Sequence, residues 1–423
     1  MKLTYLNSNK RNFINKLEII LNKRRVQDSK KYLLVKKIIK DIKKNKDKAL
    51  IKYEKKFSNI KNIKNKNIKF SKFEIDSVIK KLDKNIKKSI DLAFLRVYKF
   101  HKKQKFNSYS LTDNYNNTLK YTSSPIERVG VYVPGGTASY PSSVLMNCIP
   151  AMIAGVKNIY MTTPTINKKY NAAVLYAARK CKVKEIYKVG GAQAIAALAY
   201  GTNIVKKVNK IVGPGNTFVA TAKKEVFGDV GIDMIAGPSE VTVVADKYSN
   251  PEWVAADLIA QAEHDNFAQS ILISSNEKII SQVNFYISQQ LKNLPKKKIA
   301  EKSLKKFGLT IYVKNKKKLI ETINLIAPEH LEILTKKPNE IIKKITNVGS
   351  IFIGDYSPEA MGDYIAGTNH VLPTSGAAKF SSGLSVNDFL KRHSLIKITK
   401  SGIERLGPSV INLAKYENLE GHA

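Results

Sequence analysis

Cysteine is nearly missing from this chain: Cys148 and Cys181 are the only two in 423 residues. Their spacing fits neither a disulfide framework nor a thiolate metal site, so both are expected to be small buried residues. Long apolar runs are missing as well. No stretch of about eighteen apolar residues occurs, and the start, MKLTYLNSNKRNFINK, has neither the apolar core nor the small-residue cleavage site of a secretory signal. A cytoplasmic protein without a membrane span is expected. Acidic side chains are scarce, 34 against 73 basic ones, for a formal net charge of +39. Such an excess ordinarily suggests nucleic acid, because clustered cations neutralise phosphates. Yet only eight of the 73 basic residues are arginine, the side chain best built for bidentate phosphate and guanine contacts. The rest are lysines, accompanied by abundant asparagine and isoleucine, three residues with A/T-rich codons. Residues 1–120 hold 35 basic and 10 acidic side chains, whereas residues 213–267 hold three and nine. Mutational drift on solvated faces accounts for this pattern, and no nucleic-acid partner is expected.

What the chain does have is periodicity. Its length exceeds what one core usually serves, and 43% apolar residues suffice for packed cores. The first 120 residues read as Lys-rich amphipathic helices, as in LVKKIIKDIKKNKDKALIKYEKKF, and show no chemistry. From Ile126 short β-rich runs alternate with helical segments: RVGVYVPG precedes SSVLMNCIPAMIAGV, NIYMTTPT precedes NAAVLYAARKC, EIYKVGG precedes AQAIAALAYG, and KIVGPG precedes NTFVATAKKEVFG. A second series runs EVTVVAD, PEWVAADLIAQAEHD, SILISS, NEKIISQVNFYISQQLKNL, LTIYV and KKLIETINLIAPEHLEIL. Such alternation predicts parallel βαβ units. The expected class is α/β, with two Rossmann-like doubly wound domains at about 121–236 and 237–375, a helical N-terminal extension (1–120) and a small C-terminal extension (376–423). Ligands of such sheets bind beyond the carboxyl ends of the strands.

Several catalytic signatures are absent: GxGxxG, a Walker A loop, HExxH, CxxC and GxSxG. The turns VPGG, VGGAQ and GPGN fit both anion-binding loops and plain strand-to-helix turns. The six histidines say more. QAEHD places Gln261 and His264 three residues apart on a predicted helix, where one face could offer two metal ligands. A capping or surface pair has the same spacing. In APEHLEI, Pro328 suits a first helical turn, which would set Glu329 and His330 at a positive helix end that favours carboxylate and neutral imidazole. A capping glutamate beside a satisfied histidine fits equally. SPEAMGDYIAGTNHVLPT carries Asp363 and His370 among small residues, and Asp363 could complete an oxygen–nitrogen metal site.

Eight segments together resemble the histidinol dehydrogenase family, in one order from about Ile126 to the C-terminus: ERVGVYVPGGTASYPSSVLMN, KVGGAQAIAALAYGT, KIVGPGN, IDMIAGPSEV, PEWVAADLIAQAEHD, LIAPEHLEI, SPEAMGDYIAGTNHVLPT and FSSGLSVNDFLKR. The resemblance implies an enzyme that oxidises L-histidinol to L-histidine with NAD+ and Zn2+ as cofactors. It assigns the metal to Gln261, His264, Asp363 and His422, and adds Ser239, His330 and Glu417 as substrate contacts. NAD+ falls to Tyr132, Gln193 and Asn216. His330 becomes the general base of both hydride steps, and Glu329 activates the water that adds to the aldehyde. Neither cysteine matches a catalytic position. His370 would lie beside the site, whereas His393 is structural. The resemblance further implies a homodimer in which Glu417 and His422 of one chain complete the site of the other. Two departures stand out: only Ala423 follows His422, where the family usually continues, which predicts a less anchored ligand, and Asn266 replaces a common proline. The alternative from another class, a basic nucleic-acid-binding protein on a retained enzyme scaffold, is opposed by the intact constellation.

Overall fold

The computed structural model describes residues 3–24, 29–58, 63–104, 106–135, 140–165, 170–235 and 237–423; Gly136 of the VPGG turn and Ala236, the expected end of the first domain, lie outside them. The chain opens with strand β1 (Thr4–Asn7) and helices α1 (Phe13–Asn22), α2 (Ser29–Phe57), α3 (Lys72–Ile79) and α4 (Lys84–Lys102). These helices have the expected apolar stripe: α2 buries Val35, Ile38, Ile42 and Leu50 while most of its lysines face solvent. A capping box between Ser71 and Glu74 starts α3, and the Asp83 carboxylate caps α4. Strands β2 (Tyr109–Thr112) and β3 (Thr118–Pro125) follow as an antiparallel pair.

The first parallel sheet comprises β4 (Arg128–Tyr132), β5 (Asn158–Thr162), β6 (Glu185–Tyr187), β7 (Lys210–Val212) and β8 (Gly231–Ile232) in the order β6-β5-β4-β7-β8. Helices α5 (Pro141–Ala154), α6 (Ala172–Lys180), α7 (Gly191–Tyr200) and α8 (Thr217–Val226) connect them. One face packs on α5 and α6, the other on α2, α7 and α8, so Val129 and Val131 are completely buried. Burial on both faces is why these strands read as continuous apolar runs.

The second sheet contains β9 (Glu240–Ala245), β10 (Gln269–Ser274), β11 (Leu309–Tyr312), β12 (His330–Leu334) and β13 (Ser350–Ile353), wound with α9 (Pro251–Ala262), α10 (Glu277–Gln290), α11 (Lys297–Phe307), α12 (Lys316–Ile326) and α13 (Asn339–Ile342). Its order, β1-β11-β10-β9-β12-β13, repeats the doubly wound pattern of the first and adds β1 at one edge. That addition, together with β2 and the start of β3, corrects the expectation of a helical region up to residue 120. Thr4 to Asn7 pair in parallel with Leu309 to Tyr312, and Phe13 and Leu17 of α1 enter the core beside Ile271 and Ile311. A four-residue strand has no visible period of its own, and its partner lies some three hundred residues away. After α14 (Glu359–Tyr364), β14 (Leu390–Lys397) pairs antiparallel with β3, and α15 (Lys400–Tyr416) closes the chain. Among the described residues no helix is long and apolar enough to cross a membrane. Cys148 and Cys181 are both buried and free.

Candidate active site

In each doubly wound sheet the strand order reverses beside its first strand, which opens a crevice there. At the carboxyl end of β4, the buried Tyr132 hydroxyl accepts a 3.1 Å hydrogen bond from the Gly191 N–H at the start of α7. Gln193, one turn into α7, is buried and donates to Glu54 Oε1 of α2 at 2.7 Å, the same oxygen that accepts the Gly190 N–H. Asn216 is the N-cap of α8, accepting from Phe218 and Val219 N–H, and its side chain is exposed. The structure therefore gathers these three at one sheet edge, with Tyr132 and Gln193 already bonded internally. Behind them, Gly213 has φ +116°, and a Cβ there would stand 2.1 Å from the Tyr132 carbonyl oxygen. Lys223 and Asp233, buried to 2% and 1% exposure, form an ion pair against this turn: Lys223 Nζ donates to the Gly213 carbonyl at 3.0 Å, and the Gly213 N–H donates to Asp233 at 2.8 Å.

Glu329 and His330 lie elsewhere than the sequence suggested. No helix begins at Pro328. Ala327, in the left-handed region at φ 51°, ends α12, and His330 is the first residue of β12, between β9 and β13. The pair thus sits at the amino end of its sheet, opposite the expected edge, and no helix terminus sets its ionisation. Burial does. It lowers the His330 pKa against a smaller upward pull from Asp363. Burial, then the neighbouring Glu240 carboxylate, pushes Glu329 well above the usual carboxylate range. Glu240, the first residue of β9, organises both: its N–H donates to Glu329 Oε2 at 2.9 Å, and its carbonyl oxygen is 3.1 Å from His330 Nδ1.

Two further groups face this pair. Glu359 and Asp363 share one face of α14, and with His330 they could offer metal-ligand atoms all within 4.8 Å of one another. Glu359 Oε1 is 3.4 Å from His330 Nδ1, and Asp363 Oδ1 is 3.9 Å from Nε2. His370 braces Asp363 through a 2.9 Å bond from Nδ1 to its carbonyl oxygen. Sequence reasoning named Asp363 but missed Glu359; the ExxxD spacing in SPEAMGDY was the available signal. Gln261 is fully buried in the last turn of α9, and neither its Oε1 nor its Nε2 has a hydrogen-bond partner among the described residues. His264 does not share that helical face: α9 ends at Ala262, and His264 lies exposed beyond the Glu263 cap. It remains close enough for its charge to act on His330. Ser239 is partly exposed, immediately before β9. Glu332 and Asp257 form a buried acidic pair behind the site, and Glu332 Oε1 accepts the Glu359 N–H at 2.6 Å.

The two sheet edges face each other. Tyr140, just before α5 of the first sheet, feels the Asp265 carboxylate beyond α9. Asn369 donates to the Met146 carbonyl of α5 at 2.7 Å, and Arg96 of α4 donates to the Ile365 and Ala366 carbonyls. Glu417 and His422 are not brought to this site: both are exposed at the end of the chain, after α15. His393 is exposed on β14 opposite Thr122.

The family model for histidinol dehydrogenase matches residues 21–423. Histidinol dehydrogenase of Pelagibacter ubique is 57% identical over 419 residues, covering 99% of this chain and 97% of that protein. Its counterpart from Clostridium acetobutylicum is 47% identical over 390 residues, covering 92% and 90%. The crystal structure of histidinol dehydrogenase from Elizabethkingia anophelis superimposes with a TM-score of 0.93 at 39% identity, covering 99% of this chain and 96% of that one. Matched by the family model over residues 21–423 and covered almost end to end by these relatives, the chain belongs to the histidinol dehydrogenase family.

Proposed function

We propose that this protein oxidises L-histidinol through L-histidinaldehyde to L-histidine, giving one hydride to each of two NAD+ molecules, in the last step of histidine biosynthesis. The observation that carries this reading is the imidazole of His330. Its Nδ1 faces the Glu240 carbonyl oxygen, which only accepts, so Nδ1 holds the proton and Nε2 the lone pair. Nε2 is buried and unpartnered, and burial keeps the ring neutral. A fixed neutral imidazole with a free lone pair suits removal of a hydroxyl proton as hydride leaves the adjacent carbon. The first step gives the aldehyde, a proton on His330 and NADH. His330 then releases that proton to solvent as NADH is exchanged for the second NAD+. Water adds to the aldehyde, with Glu329 taking its proton, and the hydrate loses a proton to the again neutral His330 and hydride to the second NAD+. Burial and then the neighbouring carboxylates raise the Glu329 pKa, and the positive charge of a divalent cation held beside Asp363 would oppose that rise.

Zinc suits the donor set, since Gln261 presents a buried oxygen with nothing else to bind it. Gln261, His264 and Asp363 would hold the ion, together with His422 of a second copy of the chain. Bound there, it would supply positive charge that attracts the imidazole and amino nitrogens of histidinol, a positioning role. Ser239 and Glu417 of the second copy would complete the substrate's surroundings. NAD+ would lie along Tyr132, Gln193 and Asn216. A homodimer is supported by α15, which buries only Gly402 and Ala414 and exposes Ile403, Leu406, Val410 and Leu413, beside Leu395 and Ile396 of β14. The site of action is the cytoplasm, where Cys148 and Cys181 stay reduced.

The test is NAD+ reduction by histidinol. Two NADH per histidinol are expected, abolished by a chelator and restored by zinc. His330→Ala should depress both hydride steps, whereas Glu329→Gln should spare the first and stall aldehyde oxidation. Absence of histidinol-dependent NADH would sink the activity, and full turnover in verified metal-free protein would sink the metal.

A further inference from the structure

Arg24 lies among the lysines of the N-terminal region, yet it is 8% exposed and reaches the floor of the site. A guanidinium has five N–H donors in a rigid plane. All five are used here. Nε donates to the Phe267 carbonyl at 3.0 Å; Nη1 donates to Glu240 Oε2 at 2.5 Å and Gln269 Oε1 at 2.9 Å; Nη2 donates to the Pro238 carbonyl and, at 3.1 Å, to the Ser239 carbonyl. The acceptors belong to two segments only. One, 237–240, leads into β9 and carries Ser239; the other, 265–269, follows His264 and leads into β10. Glu240 extends the connection, because its N–H holds Glu329, its carbonyl oxygen holds His330, and its Oε1 accepts the Ser375 N–H at 3.0 Å.

We infer that Arg24 is a positioning residue for the oxidation: it locks Glu240 and the two flanking segments, and thereby the orientation of Glu329, His330 and Ser239. This rests on the function proposed above. The arginine is not needed simply to tether the N-terminus. β1 pairs with β11 through four residues, and Phe13 and Leu17 are buried in the second domain's core, so the segment has anchors of its own. A lysine at this position would keep the charge but present one compact donor head in place of a five-pronged plane, leaving several of the acceptors loose.

The experiment compares wild type, Arg24→Lys and Arg24→Ala in histidinol oxidation, with melting temperatures measured alongside. A misplacement of about 1 Å in a catalytic constellation costs on the order of a hundredfold in rate, so Arg24→Lys should lose about ten- to a hundredfold in kcat. Its KM for NAD+, whose proposed contacts lie on the other sheet, should stay within about twofold of wild type. In Arg24→Ala, guanidinium chloride at tens of millimolar should restore part of kcat, whereas sodium chloride at equal ionic strength should not. Arg24→Lys with near wild-type kcat would overturn the inference, as would a folded, impaired Arg24→Ala that guanidinium leaves unchanged. If Arg24→Ala does not fold, the lysine variant decides. A wild type that fails to reduce NAD+ with histidinol would instead refute the proposed function, so the two failures are distinct.

Discussion

Replacing Gln261 by methionine should stabilise the metal-free protein and weaken the metal-loaded one. The side chain is fully buried at the end of α9, and both amide atoms lack partners among the described residues. A buried polar group left unsatisfied costs about 1–3 kcal/mol. Methionine has a similar length and an adaptable unbranched shape, so neither a cavity nor overpacking offsets the gain. Chelator-treated Gln261→Met should therefore be about 1–2 kcal/mol more stable, which raises the melting temperature by about 2–8 °C for a domain of this size. Zinc reverses the order. At a thousandfold excess over its dissociation constant a ligand stabilises the folded state by about 4 kcal/mol, and the variant forfeits part of that with the lost oxygen ligand. Calorimetry of both proteins, stripped and zinc-saturated, should show the two melting curves exchanging places, with histidinol oxidation lost in the variant. A stripped variant that melts below wild type would refute the argument that this amide is held unsatisfied. Equal stabilisation of both proteins by zinc would remove Gln261 from the ligand set.

Lys223→Met should cost about 3–5 kcal/mol in urea unfolding, because Asp233 is left buried without its partner. It should also raise KM for NAD+ more than KM for histidinol; a loss below about 1 kcal/mol would mean that the Gly213 turn does not depend on the pair. Asp257 is pushed up to about 6 by burial, from an ordinary value of 3.8. An acid whose folded pKa is raised favours folding less as pH climbs from the unfolded to the folded pKa, so the penalty is absent below about pH 4 and complete above about pH 6. Asp257→Asn should accordingly stabilise the protein at pH 8 by about 1–2 kcal/mol, after discounting for partial exposure, and should not stabilise it at pH 4; equal gains at both would contradict this origin. Mixing inactive His330→Ala and His422→Ala chains by joint refolding should recover roughly a quarter of wild-type activity, since half the dimers are mixed and each holds one intact site. Verified mixed dimers without activity would rule out a shared site.

The α/β class and the succession of βαβ units were legible because the central strands of both parallel sheets, such as β9 and β10, are buried throughout and alternate with helices that bury apolar residues against them. What stayed hidden depended on distant partners. Thr4–Asn7 becomes a strand only through Leu309–Tyr312. Arg24 is one cation among many in the sequence, and only the fold sets it against Glu240 and four other acceptors. APEHLEI was misread because proline after an apolar helix also suits the start of a new one. The left-handed Ala327 instead stops α12, and the Gly349 N–H, bonded to the Pro328 carbonyl at 2.9 Å, draws the next residues into the sheet. QAEHD was half right: the helix carries Gln261 to its last turn but ends before His264.

The placement of His330 also changes how the two domains divide the work. Both sheets have the doubly wound order, and the general rule sets ligands at the carboxyl edge of each. Under the proposed cofactor assignment the first sheet follows that rule, with Tyr132 at the end of β4 and Asn216 in the turn after β7. The second does not: Glu240 and His330 each begin a strand, β9 and β12, and lie side by side because those strands pair in parallel, with His330 opposite Val241. One repeated topology thus presents opposite edges, and residues 365–369, bonded to α4 and α5, hold the edge that carries His330 toward the first domain. Under the proposed reaction this is what hydride transfer requires, since the base and the metal must grip one side of the reacting carbon while the nicotinamide approaches from the other.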